Sequence, residues 1–527
     1  MVFLVTGMPQ SIAAPANPDS NRDRNEPSCR AVANRFGRML GRLSAARWPG
    51  DAVDELSTRV IAEEETEPTP EGQRDEEEND DIDAGVTYVG QFIDHDLTLD
   101  ARRDDLTTPV DPFTLTNTRT PSFDLDSMYG AGPQGSPQLY EADGVHMRLG
   151  APLTGATTDP GAVDLPRNPQ TGSALLGDPR NDENRIIASL HQIFLRFHNM
   201  LADQLAASHP RATRARIFAE TQRLVRLHYQ WAVLTDFLPS IVGRDMTRAV
   251  LPSMNVSRNA PRLATYDPCT MNMPVEFAVA AYRFGHSIVR PIYRINTAVA
   301  ARLPVFSLTG DPTRDLGGFR PSPSNFAIDW SFLFHMEGRR RIGRPQASYK
   351  IDNSLVFQLG LLPLPDTGAG PASLARRNLL RSMQLGLPSG QDAARALNSR
   401  PLRDDQILIG KAVEDPEEGM AITEVSRRFA GSAPLWTYLL AESTANSFNV
   451  HHGRIDGDQI APMRLGRVGG RIVAEVFVGL MWVDRSSVLY NPSFRPIAAF
   501  TNDGEFGFRE LIRAVTRSLD AHFTPVR

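Results

Sequence analysis

Between Gln91 and Asp96 the chain places an amide, two carboxylates and an imidazole within six residues, Gln91-Phe-Ile-Asp94-His95-Asp96, inside the otherwise apolar run from Tyr88 to Leu97. On a helix, Gln91 lies one turn before Asp94 and His95, so the three share a face, and Asp96 points about a quarter-turn away. Such a face suits proton transfer, because an imidazole takes and returns protons near neutral pH while its neighbours hold it in place. A polar helix face that meets water, with a histidine satisfied locally, is the alternative reading of the same stretch.

A second imidazole, His286, ends the apolar segment Pro274 to Pro291, with Arg283 one turn earlier and Gly285 directly before it. The glycine would let a flat ligand or another backbone come close, and Pro291 stops the helix expected here. Asn378 and Arg381 share a face on a helical pattern running from Leu374 to the breakers Gly386 and Pro388. Gly177-Asp-Pro-Arg180-Asn-Asp-Glu183-Asn opens a long helix whose apolar positions include Ile186, Leu190, Ile193, Phe197 and Leu201. Asp178 and Pro179 supply its cap and first turn, and Arg180 and Glu183 share its first face. His191 and His198 lie two turns apart without an acidic partner at zincin spacing, so they read as packed helix histidines. Thr120, Ser122, Asp124 and Asp126 alternate, and an extended segment would point all four one way. Hard oxygens at that spacing suit Ca²⁺, although no EF-hand pattern is present, and an Asp-rich turn is the plain alternative.

The elements that position these groups are long periodic segments without repeats or strong hairpin signals, which predicts a mainly α protein with long loops and little β. Residues 1–30 read as a disordered or wrapping N-terminal arm and 31–527 as a single large helical domain. The acidic run at about 63–83 reads as a solvated surface loop, with a cation-attracting lip near a site as the functional alternative. The 527 residues carry a net charge of -6 and a pI near 6.0, with 41% hydrophobic and 22% charged residues. That balance argues against a nucleic-acid surface. The basic residues are almost all arginine, the lysines being Lys350 and Lys411. Two cysteines, Cys29 and Cys269, exclude a disulfide framework and a cysteine-rich metal site. Free thiols are the default, and one bridge between them is the alternative. No apolar run approaches the ~20 residues of a membrane helix. The N-terminus lacks a basic, sufficiently long leader, so a cytoplasmic location is the default expectation and non-classical secretion the alternative. Oligomeric state is not legible.

One histidine accompanied by an amide and carboxylates, and another behind a glycine on an apolar segment with an arginine beside it, form the asymmetry that haem iron uses. A proximal imidazole binds iron and a distal pocket decides the fate of bound oxygen species. With those residues in view, the chain resembles the animal haem peroxidase superfamily over about residues 30–500. The motifs that carry the resemblance occur in the family's order: Gly90-Gln-Phe-Ile-Asp-His-Asp96, Asp124-Leu-Asp-Ser-Met-Tyr-Gly130, Gly177-Asp-Pro-Arg-Asn-Asp-Glu183, Tyr282-Arg-Phe-Gly-His286, Asn378-Leu-Leu-Arg381 and Leu465-Gly-Arg-Val-Gly-Gly-Arg-Ile-Val-Ala-Glu475.

The resemblance implies a helical fold around haem b and H₂O₂-dependent oxidation of a small donor such as bromide, iodide, thiocyanate or a phenol. It implies that His95 is the distal acid–base residue, with Gln91 and Arg180 beside it. His286 would be the iron ligand and Asn378 its hydrogen-bond partner. Arg283 and Arg381 match positions near the haem, Arg381 as the propionate partner. Asp96, Thr120, Ser122 (through its carbonyl), Asp124 and Asp126 match the Ca²⁺ site. Asp94 and Glu183 match the carboxylates that form ester links to haem methyls in mammalian members. Asn184 departs from myeloperoxidase, which has a methionine bonded to a haem vinyl there, so a sulfonium link is excluded and chloride oxidation is put in doubt. A fatty-acid dioxygenase of the cyclooxygenase or α-dioxygenase branch is the main alternative. It needs a tyrosine three residues before the proximal histidine, where this chain has Arg283. A haem-binding protein without catalysis is the other.

Overall fold

The computed structural model describes residues 34–64, 75–100, 106–269, 273–306, 311, 313–336, 345–362, 371–415 and 417–517. The expected N-terminal arm, with Cys29, and residues 65–74 of the acidic run lie outside the described residues. Helices dominate, and among the described residues the strands form two-stranded sheets only. The helices that frame the centre are α1 (Gly50–Arg59), α2 (Ala84–Leu97), α3 (Arg185–Ser208), α4 (Arg214–Ala232), α5 (Leu374–Gln384), α6 (Leu435–Ser447) and α7 (Arg467–Val483).

Helix α2 is buried on nearly every side, which follows from its apolar composition outside the polar quartet. Phe92 anchors it: its ring stacks on Phe194 of α3, centroids 4.7 Å apart, and meets Tyr229 of α4 edge-on. The start of α3 is set by Asn184, whose side chain accepts from the Ile186 N–H. Just before it, the short turn Pro179–Asp182 is capped by Asp178, which accepts from the Arg180 N–H at 2.9 Å.

The structure corrects several expectations. The segment before His286 is a π-turn (Glu276–Ala280) followed by a 3₁₀ turn (Ala281–His286), in place of a regular helix. The 3₁₀ period keeps Arg283 and His286 on one side, because i and i+3 eclipse. Asp124 and Asp126 do not lie on an extended segment. Leu125 between them is left-handed, with φ 59°, and Asp126 starts a short helix, so a backbone reversal brings the two carboxylates together. The acidic run is not wholly a solvated loop. Glu78–Asp83 forms strand β1, antiparallel to β2 (Ala347–Tyr349), with Glu78 opposite Tyr349. Burial of these acidic residues is offset by basic partners: Arg290 Nη1 lies 2.7 Å from Glu78 and Lys411 Nζ 2.5 Å from Glu77. Cys269 is disulfide-bonded, against the default of a free thiol. No helix among the described residues is long and apolar enough to cross a membrane.

Candidate functional site

His95 sits fully buried on the last turn of α2, and its surroundings fix its proton. Its Nδ1 lies 2.8 Å from Asn181 Oδ1, while Asn181 Nδ2 lies 2.9 Å from His191 Nδ1. The His191 ring nitrogen takes the amide's N–H, so the amide oxygen is turned to His95. An acceptor at Nδ1 places the His95 proton there and leaves a lone pair on Nε2. Burial, reinforced by the Arg180 charge, lowers the His95 pKa to about 3, so the ring is neutral near pH 7. His95 Nε2 lies 3.8 Å from Glu183 Oε1, and Gln91 Nε2 donates to the same oxygen. Burial pushes the Glu183 carboxyl well above its ordinary range, which favours its protonated form. Asp94 accepts from Thr98 Oγ1 at 2.9 Å, just past the end of the helix.

Arg180 is held from one side only. Its Nε and Nη2 donate to the two carboxylate oxygens of Asp178 at 3.0 and 2.8 Å, and Nη2 also reaches the carbonyls of Thr98 and His95 at 2.6 and 3.2 Å. Nη1 is buried without a partner, as are Gln91 Oε1 and Glu183 Oε2. Unpaired buried donors and acceptors cost about 1–3 kcal/mol each, so a cluster of them marks a place built for a ligand. The turn bearing Arg180 and Glu183 is pinned by the strand-like segment 316–319. Gly318 N–H donates to the Glu183 carbonyl at 3.0 Å, and a Cβ on Gly318 would stand 1.6 Å from the Asp182 carbonyl oxygen.

The 281–286 turn packs against α2, with Tyr282 Oη donating to the Gly90 carbonyl at 3.1 Å. His286 is fully buried; Asn378 Nδ2 lies 2.8 Å from its Nδ1, and its Nε2 has no partner. Burial lowers its pKa well below the usual value, which keeps it neutral. A Cβ on Gly285 would meet nothing within 4 Å, so open space lies beside this histidine, as the glycine led us to expect. These features fit haem: an orphaned imidazole nitrogen, open space at Gly285 and neutral ring chemistry. Iron on Nε2 requires the proton on Nδ1 and therefore an amide oxygen facing it. Here Arg283 Nη1 donates to Asn378 Oδ1 at 3.1 Å and holds the amide in the opposite orientation, so ligation calls for a half-turn of that amide. Arg381 donates to Gln384 Oε1 at 2.6 Å and pairs with Asp100, so it enters the site already engaged.

Asp96, Asp124 and Asp126 bring one carboxylate oxygen each within 4.8 Å of one another. Burial and then mutual repulsion raise Asp96 strongly and Asp124 to about 7. Thr120 N–H donates to Asp126 Oδ2 at 3.0 Å, and Ser122 N–H to the Thr120 carbonyl at 2.7 Å, so both belong to this loop. An all-oxygen cluster with surplus negative charge suits Ca²⁺. His198 bonds to Tyr129 Oη and to the Val145 carbonyl, a packed role as expected.

Asn181, His191 and Asp178 make contacts with His95 and Arg180, directly or through one another, that the sequence analysis did not assign. The signal for Asp178 was present, since a capping aspartate two residues before a buried arginine can serve both. For Asn181 there was none, because its two partners come from α2 and from two turns into α3.

Residues 98–309 match the family model for animal haem peroxidase. Among similar proteins is the human probable oxidoreductase PXDNL, 25% identical over 260 residues, which is 45% of this chain and 17% of that protein. The chain therefore spans under a fifth of that relative's length. Among solved structures, peroxidase A from Dictyostelium discoideum superposes with a TM-score of 0.57 over 92% of this chain and 94% of that one, at 18% identity. Oryza sativa fatty acid alpha-dioxygenase superposes with a TM-score of 0.51 over 85% and 75% at 14% identity, a likeness of fold alone. The family match over residues 98–309, the fold and the two histidine centres all point the same way, to similarity with animal haem peroxidases.

Proposed function

We propose that the protein is a haem peroxidase that uses H₂O₂ to oxidise small donors. The carrying observation is the Asn181–His95 contact, which leaves the His95 lone pair at Nε2, beside Gln91 and Glu183. His286 Nε2 would hold the iron, with Asn378 as acceptor for its Nδ1 proton, and Arg283 and Arg381 would lie near the cofactor's edge. When bound, the haem supplies two-electron oxidation by peroxide. The protein's part is proton handling and charge. His95 Nε2 takes the proton from one peroxide oxygen and returns it to the other. Arg180 Nη1 stabilises the negative charge that develops as the O–O bond breaks. Gln91 orders water or a halide beside them. Asp94 and Glu183 would form ester links to haem methyls. Ca²⁺ held by Asp96, Thr120, Ser122, Asp124 and Asp126 would stiffen the end of α2 next to His95.

Asn184 caps α3 and donates to the Val305 carbonyl at 3.0 Å, so it offers nothing like a thioether link, and bromide, iodide, thiocyanate and phenols are the donors proposed. The dioxygenase alternative gains no support from Tyr282, whose hydroxyl is spent on the Gly90 carbonyl. The deciding experiment is the absorption spectrum of haem-loaded protein mixed rapidly with H₂O₂. A Soret band that shifts within milliseconds and recovers with iodide supports the reading. A Soret band indifferent to peroxide overturns it.

A further inference from the structure

We propose that Arg119 is a positioning residue for the distal site. It shares Asp178 with Arg180 and so sets how strongly Arg180 attracts anions, and its second hold, on Asp126, makes that attraction depend on a cation in the Asp96, Asp124 and Asp126 cluster. The inference rests on the peroxidase reading for the place of Arg180 beside the haem, and adds a residue that regulates it.

Arg119 stands between the two sites. Its backbone is tied to the end of α2 through Asn117, whose Oδ1 accepts from the N–H groups of Leu99 and Arg119 at 2.8 and 3.3 Å and whose Nδ2 donates to the Leu97 carbonyl at 2.8 Å. From there the guanidinium reaches both carboxylates. Nη1 donates to Asp126 Oδ1 at 3.4 Å, and Nε lies 3.5 Å from Asp178 Oδ2. Neither contact is short, and Nε is buried without a hydrogen-bond partner. The two loops themselves are locked together. Asp178 N–H donates to the Ser127 carbonyl at 2.9 Å, and a Cβ on Gly177 would stand 2.6 Å from the Asp126 carbonyl oxygen. The group able to shift between them is therefore the Arg119 side chain.

One negative charge on Asp178 serves two guanidiniums. Arg180 takes both of its oxygens, Nε on Oδ1 at 3.0 Å and Nη2 on Oδ2 at 2.8 Å, while Arg119 faces the same Oδ2. When Arg119 leans on Asp178, less of that charge cancels the field of Arg180 at Nη1. When Arg119 leans on Asp126, Asp178 cancels it more fully. The side chains of Arg119, Asp178 and Arg180 are 11%, 0% and 0% exposed, so water and salt screen these charges little. A divalent cation in the cluster would claim Asp126 and repel Arg119, and both effects move the guanidinium toward Asp178. Arg226, also near the cluster, spends its Nε on the Asp124 backbone carbonyl at 2.6 Å. Cation and anion therefore help each other to bind, each by the same factor.

The test uses the full haem-loaded chain, Ca²⁺ set by a chelator buffer, and azide, an anion that binds ferric haem without turnover and is read in the Soret band. In the wild type, saturating Ca²⁺ should tighten azide binding about fivefold, and azide should tighten Ca²⁺ binding by the same factor in calorimetry. Arg119→Gln removes the shared charge. It should weaken azide binding about fivefold and abolish the coupling. It should also bind Ca²⁺ more tightly, because a cation no longer sits beside Asp126. Lost packing alone would weaken both ligands, so the opposite signs separate positioning from structure. Arg119→Lys keeps the charge and should hold azide affinity within about twofold of wild type. Wild-type azide affinity that is equal with and without Ca²⁺ overturns the inference without any variant, and so does an Arg119→Gln protein weakened for both ligands. A Soret band indifferent to peroxide overturns the peroxidase reading alone, and the azide titration still decides the role of Arg119, since it needs haem and Arg180 but no turnover.

Discussion

His95 and His286 are built alike and set oppositely. Each is fully buried, each is neutral, and each has an asparagine amide at Nδ1 about equally close, at 2.8 Å. The difference lies in what holds the amide. His191 occupies the N–H of Asn181 and turns the oxygen to His95, whereas Arg283 occupies the oxygen of Asn378 and turns the nitrogen to His286. A third residue, two contacts from the reactive nitrogen, therefore decides which ring nitrogen carries the proton. A base needs its lone pair at Nε2, and so does an iron ligand. One centre is locked in that state, and the other must release Arg283 to reach it.

The strongest way to break this comparison is to delete one ring. His286→Ala should lose the Soret band and all peroxide turnover, and normal turnover in that variant would sink the assignment. Arg180→Ala should keep haem but slow the peroxide step by about 10²–10³-fold, read by stopped flow; a wild-type rate would remove Arg180 from the chemistry. Asn181→Ala frees the His95 tautomer and should cost about tenfold in the same step, within the range that general acid–base catalysis supplies. Restoration by Asn181→Gln but not by Asn181→Leu would sharpen the tautomer argument, and an unaltered rate in Asn181→Ala would end it. Removing Ca²⁺ with a chelator should lower the melting temperature, the cation being worth about 2.7 kcal/mol at a hundred times its dissociation constant; no change in calorimetry would exclude a Ca²⁺ role for the Asp96 cluster.

The smallest expected effect is an absence. Because the folded His95 pKa is depressed to about 3 from 6.5, the ring stays neutral through the working range. Its contribution to stability is complete above about pH 6.5 and is lost as pH falls toward 3. The peroxide step should therefore be flat between about pH 5 and 8. A titration of that rate near pH 6.5 would show that His95 is less isolated than its burial implies.

Much of the site was legible in the sequence, because its side chains ride on strongly patterned helices. The face formed by Gln91, Asp94 and His95 follows from spacing alone, as does the opening beside Gly285. What escaped notice depends on partners remote in the chain. The charges of Glu77 and Glu78 look solvated until Lys411 and Arg290 arrive to pair with them. The approach of Gly318 to Asp182 leaves no pattern at either position. The irregular 276–286 segment reads as helix because its apolar residues recur as they would on one, and nothing local marks the π-turn.

The pairing of β1 with β2 sets a condition on biogenesis. Glu78 cannot meet Tyr349 until most of the chain has left the ribosome, so the acidic strand spends synthesis with its backbone groups unpaired. Its run of negative charge then acts as a gatekeeper, repelling other nascent chains during the wait. A substitution that neutralised that run for the sake of the folded state would be paid for in yield, through aggregation before the two strands could find each other.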